Sequence, residues 1–473
     1  MKAVFDEIRD GWRLEAKAED SERYFFQTNE LGRILSGRKA YVIGRKGTGK
    51  TAISQNILAS QSHNVFCDKL SFKNFPFNEL YGLEDKGYRP PNQYITLWKY
   101  IIYNKICQMM SINEAIDSNL VSRLRKIYEF DNLKKLDKEI NRWTTKEFNI
   151  NILGVGGGIK GDVENEPCSW TDKCDMLEGI ILEYIDESDY YIAFDELDED
   201  YKNVFEEKND NYISLLTGLF KAVQSIKSTF TEKRYHIFPV IFLRNDIYDL
   251  IMDSDKAKWD DLKLDLLWNE ENIKKLIAFR IERTFDRSSD TTSFIRSWEK
   301  IFRNENIGVG TQDRKKIDMF TYMTRSTQLR PRDYIKYIVA CAEENTDNKI
   351  ITSKIVKMAD EQFSYYLRSE LIDEIQGVLP NIEVIFEILS SIRKQTFLMK
   401  DFRECYSQLI KLRKCEDYGV EFTLNILFFF SVVGNLPRQN NRSVFRYIDR
   451  GARFNFNEPI LVHRGLYQSL QIF

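Results

Sequence analysis

The feature that most constrains this chain is a glycine-rich turn set between an apolar strand and a helix. Residues Lys39 to Thr51 read KAYVIGRKGTGKT. Ala40-Tyr41-Val42-Ile43 is short, apolar and β-prone, which predicts a buried strand. Gly44-Arg45-Lys46-Gly47-Thr48-Gly49-Lys50-Thr51 follows and fits GxxxxGK[ST]; AISQNILASQ after it sets Ile53, Ile57 and Leu58 at helical spacing. Glycines in such a turn let successive backbone N–H groups face phosphate oxygens, and the start of the helix adds positive potential. The residues expected to hold ATP are Gly44, Arg45, Lys46, Gly47, Thr48, Gly49, Lys50, Thr51 and Ala52. Lys50 is expected to reach the β- and γ-phosphates and the Thr51 hydroxyl to ligate Mg2+. A chance glycine-rich turn, the bland alternative, has no reason to carry both flanks.

A second segment supplies what the first lacks. Asp189 to Phe194 (DYYIAF) is an apolar, β-prone run ending in Asp195-Glu196-Leu197-Asp198-Glu199. An acidic pair at the carboxyl end of a buried strand is the Walker B arrangement. Asp195 is expected to share the metal with Thr51, and Glu196 to orient and polarise the attacking water. A solvated acidic turn is the alternative, and Asp198, Glu199 and Asp200 are read as surface residues. Ile237 to Leu243 (IFPVIFL) predicts another strand, although Pro239 argues against a central position in a sheet. Ligand-facing residues gather at the carboxyl ends of parallel strands, so Asn245 is a candidate γ-phosphate sensor; a helix N-cap is the competing role for Asn245 or Asp246. No NKxD follows a strand, which argues against guanine.

These stretches resemble AAA-type P-loop ATPases of the branch that holds origin-recognition initiators and STAND signalling ATPases. The likeness is carried by FFQTNELGRILSGRKAYVIGRKGTGKTAI, YYIAFDELDE, FPVIFLRNDIYDLI and Leu329-Arg330-Pro331-Arg332-Asp333. Within that branch the chain resembles poorly characterised bacterial orphan ATPases, some associated with anti-phage genes. The resemblance runs from about residue 25 to the C-terminus around a long unmatched insertion. It implies sensor 1 at Asn245 and sensor 2 at Arg332, both counted with Glu196 and Lys50 as catalytic. It leaves the arginine finger open among Arg244, Arg280 and Arg283.

The fold class expected is α/β: a parallel-sheet P-loop ATPase core over 1–270 with a helical insertion at about 73–188, a helical lid over 271–378, and a winged-helix-like domain over 379–473. Strand candidates at Asn64–Cys67 and Leu262–Trp268, and helices at Pro91–Met110, Ser122–Glu129 and 211–228, fill the core. Ile150 to Lys160 (INILGVGGGIK) reads as a glycine-rich loop; without GK[ST] it is not a second phosphate loop. In the C-terminal part, Val384 to Leu389 and Phe402 to Leu412 predict helices. Arg453 to Phe456 followed by Ile460 to His463 reads as a hairpin.

Composition bounds the partners. With 69 Lys+Arg against 72 Asp+Glu the chain has no global basic excess, but residues 381–473 hold 13 basic against 9 acidic side chains. Arg438, Arg442, Arg446, Arg450 and Arg453 are therefore candidates for phosphate contacts, or for a protein-docking face. The longest apolar run, Leu424 to Val433, is too short to cross a bilayer, and the N-terminus has no apolar stretch of the secretory kind, so no membrane partner is expected. The 7 cysteines (Cys67, Cys107, Cys168, Cys174, Cys341, Cys405, Cys415) include no CxxC, and His63, His236 and His463 are far apart in sequence, so reduced thiols in a cytoplasmic protein are expected rather than a zinc site. The function expected is an ATP-hydrolysing conformational switch and homo-oligomer, with ATP and Mg2+ as cofactors, controlling a separately encoded effector protein or a nucleic acid such as DNA; the resemblance implies a part in anti-phage defence. The alternatives are a DNA-binding loader resembling replication initiators, and a scaffold in which ATP is structural.

Overall fold

Short apolar runs bounded by turn residues become strands buried on both faces, as a parallel sheet requires. The computed structural model describes residues 1–85, 87–90, 92–128, 136–144, 169–201, 208–289, 293–310, 314–438 and 442–472. The glycine run at 154–158, Cys168 and Pro91 lie outside them, as do the side chains of Glu199 and Asp200. Among the described residues, β1 (Tyr41–Ile43), β2 (Val65–Ser71), β3 (Asp189–Asp195), β4 (Ile237–Leu243) and β5 (Lys263–Asp265) form one parallel sheet in the order β2-β3-β4-β1-β5.

Pro239 argued against a central place for β4, yet β4 lies between β3 and β1. The register explains why. Ile241 N donates to Ala40 O at 2.8 Å, so alternate residues of β4 turn their N–H groups toward β1. Pro239 has the same parity but sits two residues before β1 begins to pair, at Tyr41↔Ile241, so its missing N–H removes no ladder bond.

Before the sheet come α1 (Lys2–Gly11), α2 (Ser21–Tyr24) and α3 (Asn29–Leu35); α4 (Lys50–Ala59) follows β1. Parallel neighbours need a crossover, and β2 reaches β3 through α5 (Phe77–Tyr81), α6 (Ile95–Met110), α7 (Ser118–Tyr128), α8 (Leu136–Thr144) and α9 (Trp170–Tyr184). The helical insertion is thus no appendage. α6 packs on α9, on β2 and β3, and on α10 (Lys208–Glu232), and it is buried on nearly every side, with Trp98 Nε1 donating to Leu215 O at 2.8 Å. Cys174 of α9 is a core thiol whose Sγ lies 3.3 Å from Thr96 O.

After α11 (Asn245–Leu250) and β5, the chain runs through α12 (Glu270–Phe285), α13 (Phe294–Glu299), a hairpin of β6 (Asn306–Val309) and β7 (Lys315–Asp318), then α14 (Met319–Thr324), α15 (Pro331–Glu344) and α16 (Ser353–Ile375). The hairpin has no counterpart in the helical reading of this stretch. The C-terminal part is α17 (Ile382–Ile392), β8 (Thr396–Phe397), α18 (Met399–Lys411), α19 (Val420–Phe429), β9 (Val433–Asn435) and β10 (Ile460–Val462), with an antiparallel sheet in the order β8-β10-β9.

The hairpin expected between 453–456 and 460–463 does not form. Ile460–Val462 pairs with Val433–Asn435 instead. Phe454 packs on Phe428 and Phe456, and the Asn435 side chain takes both backbone groups of Asn455 at 2.9 Å. Side-chain packing, not a ladder, fixes that loop. His463 is buried, and burial lowers its pKa to about 3; its Nδ1 accepts from Gly465 N, a structural role. No helix among the described residues is long and apolar enough to cross a membrane.

Because Trp98 is fully buried against Leu215 O, Trp98→Ala is expected to lose about 3–5 kcal/mol in urea unfolding. A loss under about 1 kcal/mol would show that the insertion does not share the core.

Candidate nucleotide site

β1 ends at Ile43, and the turn to α4 is made possible by Gly47 (φ +81°) and Gly49 (φ +99°), both in the left-handed region. A Cβ on Gly47 would also stand 3.0 Å from Arg332 Cβ, so the loop and the start of α15 touch. The Lys50 ammonium donates to two neutral carbonyls, Gly44 O at 2.8 Å and Arg45 O at 3.0 Å. Burial pushes its pKa down to about 8. A cation held this way is poised for an anion.

At the carboxyl end of β3, Asp195 is buried. Its Oδ2 lies 2.5 Å from Lys69 Nζ and 2.9 Å from Ser54 Oγ, and its Oδ1 accepts from Glu196 N at 3.0 Å. Ser54 stands one turn beyond Thr51 on α4, with its hydroxyl 3.1 Å from Thr51 O, so one helix turn links the two expected metal ligands. Glu196 has φ +61°, unusual for a non-glycine residue and a mark of local constraint. Both of its carboxylate oxygens lie 2.8 Å from Lys17 Nζ, and Oε2 also accepts from Ser71 Oγ.

The helices after β5 close over the loop. Arg332 N lies 3.4 Å from Gly47 O, and Arg332 Nη1 is 3.2 Å from Glu370, which also faces Lys46 at 3.6 Å. Arg330, 2% exposed, pairs with Asp333 and Glu374 and reaches Lys46 O at 3.5 Å. Arg244 joins the same network through Asp246 at 2.6 Å and Glu374 O at 3.1 Å. Burial works to raise the pKa of Glu374, and Arg330, Arg45 and Arg244 outweigh it, holding the carboxyl below its ordinary value.

A cavity of about 240 Å³ brings Gly47, Lys50, Thr51, Asp195, Glu196 and Arg332 together. Of the nine loop residues expected at the nucleotide, Lys46 to Ala52 line it. Gly44 packs on Leu266, and Arg45 turns away, its Nη2 donating to Gln328 Oε1. Asn245 is the first residue of α11 and lines a separate small cavity with Arg45 and Thr48, while its neighbour Arg244 lines the large one. Asp198, read as a surface residue, lines the large cavity and lies 3.6 Å from Arg244. Of the open arginine-finger candidates, Arg244 and Arg280 are buried in pairs within the chain, Arg280 with Glu19.

The hydroxyl and carboxylate donors suit Mg2+, and the half-buried Lys50 suits a phosphate, so the residues present fit Mg-ATP. Among the described residues there is no cluster of three or more His, Cys, Asp or Glu side chains able to hold another metal. Sequence reasoning missed Lys17, Lys69, Ser54, Ser71 and Trp268, whose Nε1 donates to Thr48 O at 3.0 Å. Only Ser54, at i+3 from Thr51 on a predicted helix, carried a usable signal.

The sequence profile of the FunZ-associated C-terminal helical domain matches residues 271–372. No curated protein matches the chain. Among solved structures, the Aeropyrum pernix Orc1 protein in complex with DNA is similar at a TM-score of 0.40 and 10% identity, covering 97% of this chain and 96% of that one. Drosophila ORC bound to DNA is similar at 0.27 and 10%, covering 94% and 84%. Neither likeness is strong enough to assign this chain's chemistry.

The ionic network under the loop generates a direct test. Glu374→Ala leaves the buried Arg330 guanidinium with one carboxylate fewer, and a loss of about 3–5 kcal/mol in chemical denaturation is expected. A near-neutral variant would mean that Asp333 alone balances the charge.

Proposed function

We propose that the chain is an AAA-type P-loop ATPase acting as a slow, Mg-ATP-driven conformational switch. The observation that carries the reading is the convergence of Lys50, Thr51, Asp195, Glu196 and Arg332 on one cavity, with the half-buried Lys50 hydrogen-bonded to neutral acceptors.

Thr51 and Asp195 would hold Mg2+, which would supply positive charge to offset the negative charge developing on the phosphates. Lys50, Lys46 and Arg332 line the cavity as the cations that would meet the phosphates, and Glu196 would orient water and accept its proton. Phosphates compete with Glu370 for Lys46 and Arg332, which gives the helices over the loop a reason to move between states. Arg45 supplies an outward link: it donates to Gln328, whose Nε2 donates to Phe430 O and Ser431 O at 3.2 and 3.1 Å. The state of the loop would thus be felt by the C-terminal part, which is winged-helix-like in its helix and strand order. Arg332 lines the cavity and keeps the sensor 2 role that the resemblance implies; sensor 1 at Asn245, which lines the separate cavity, rests on the resemblance alone. Assembly into a homo-oligomer and a part in anti-phage defence rest on that resemblance, a cytoplasmic setting on the scattered cysteines, and a separately encoded effector on the sequence offering no second catalytic motif.

The loader reading would use the C-terminal arginines on DNA. Arg446 lies 3.3 Å from Asp249 and Arg450 lies 2.6 Å from Asp265, so two of them are committed to the core. Salt-sensitive DNA binding that needs ATP and is lost in Arg446→Ala would favour that reading over the switch.

Titration with a fluorescent ATP analogue tests the proposal. Lys50→Ala is expected to lose about 100-fold or more in affinity, since a buried charged contact is worth roughly 3 kcal/mol. Glu196→Gln is expected to bind ATP and fail to hydrolyse it; unchanged turnover would remove Glu196 from the chemistry, and a variant without turnover whose assembly and activity are untouched would leave ATP a structural ligand. The pH dependence follows from Lys50. Below about pH 8 its ammonium is present in the empty protein, and above that value binding must take up a proton. Affinity is therefore expected to fall, by up to about tenfold per pH unit, as pH rises past 8. A flat profile between pH 7 and 9 would remove Lys50 from the phosphates.

A further inference from the structure

We propose that Lys17 is a positioning residue that restrains Glu196 and so keeps hydrolysis slow. The inference rests on the reading of Glu196 as the group that accepts the proton of the attacking water.

Lys17 belongs to a single 3-10 turn, Ala16–Ala18, which lies against α4. From there its ammonium spans the carboxylate of a residue 179 positions away, 2.8 Å from each oxygen. Ser71, the last residue of β2, donates to the same Oε2. A carboxylate gripped across both oxygens has its open edge turned to the cation, and that is the edge a proton-accepting base presents to water. The left-handed backbone at Glu196 (φ +61°) limits how else the side chain can be aimed while Lys17 holds it.

The placement of Lys17 is not accidental to the cavity. Arg13, Leu14 and Ala16 before it, and Glu19, Ser21 and Tyr24 after it, line the same space as the glycine loop. Glu19 is anchored by Arg280, 2% exposed, whose guanidinium also lies over the Trp12 and Tyr24 rings at 4.8 and 4.9 Å. The segment is thus fastened on the far side of the turn, while Lys17 itself is 39% exposed and Glu196 20%. A half-exposed pair of this kind shifts an equilibrium by no more than about fivefold, which suits a restraint that can be lifted.

The expected effect has that size. In steady-state hydrolysis, Lys17→Met is expected to raise kcat about two- to fivefold with KM unchanged, and Lys17→Arg, which keeps the cation, to stay at the wild-type value. The gain must act through Glu196, so Lys17→Met combined with Glu196→Gln must be as slow as Glu196→Gln alone. An unchanged or lower kcat in Lys17→Met, a gain that also appears in Lys17→Arg, or a gain that survives in the double variant would each overturn the proposal. The two readings fail differently: wild-type turnover in Glu196→Gln alone refutes the role given to Glu196, whereas a slow Glu196→Gln beside an unaltered Lys17→Met refutes only the role given to Lys17.

Discussion

A half-buried ammonium group whose hydrogen bonds go to neutral carbonyls is the constraint around which this molecule is organised. Lys50 is placed by the first turn of α4, folded back on the carbonyls of its own loop, and burial weakens its hold on its proton. Everything that shapes the cavity bears on that group. Gly47 and Gly49 supply the backbone that lets the loop curl over it, the sheet order puts Asp195 and Glu196 opposite, and α15 brings Arg332 down onto Gly47. Such an arrangement suits an anion of the right size.

How much of this was legible in the sequence depended on how local each cause is. β1, β3 and β4 were readable because strands buried on both faces are continuous apolar runs, and the loop was readable because its chemistry needs fixed spacing within eight residues. The position of β4 was not, since whether Pro239 costs a hydrogen bond depends on where β1 starts, a fact of register. The C-terminal hairpin was misplaced for a similar reason: alternation in Arg453–Phe456 imitates a strand, but the Asn435 side chain and the Phe428 ring hold that backbone. Lys17 and Lys69 left no trace at all. They meet carboxylates 179 and 126 residues away, and no periodicity connects such pairs.

Beneath the loop, Arg330, Arg244, Glu374, Asp333 and Asp246 form a buried ionic cluster joining the sheet to α15 and α16. Buried charges of this kind are weak contributors to net stability and strong enforcers of one arrangement, because an alternative packing leaves some of them unpaired. That places a rigid element directly under a loop whose upper surface is held by half-buried, exchangeable contacts such as Lys46 with Glu370. The C-terminal part is seated by both kinds of contact: Gln328 with the carbonyls of Phe430 and Ser431 inside, and Arg446 and Arg450 with core aspartates at the rim.

One side chain described above gives the molecule an optical property. Trp268 borders the cavity and ties its indole to the carbonyl of Thr48, whereas Trp98, Trp143 and Trp259 are sealed inside the protein. Of the described tryptophans Trp268 is the one that lines the cavity, so a change in polarity there reaches its indole directly. The chain carries a native emission reporter at the mouth of its own loop, readable without a dye or a label.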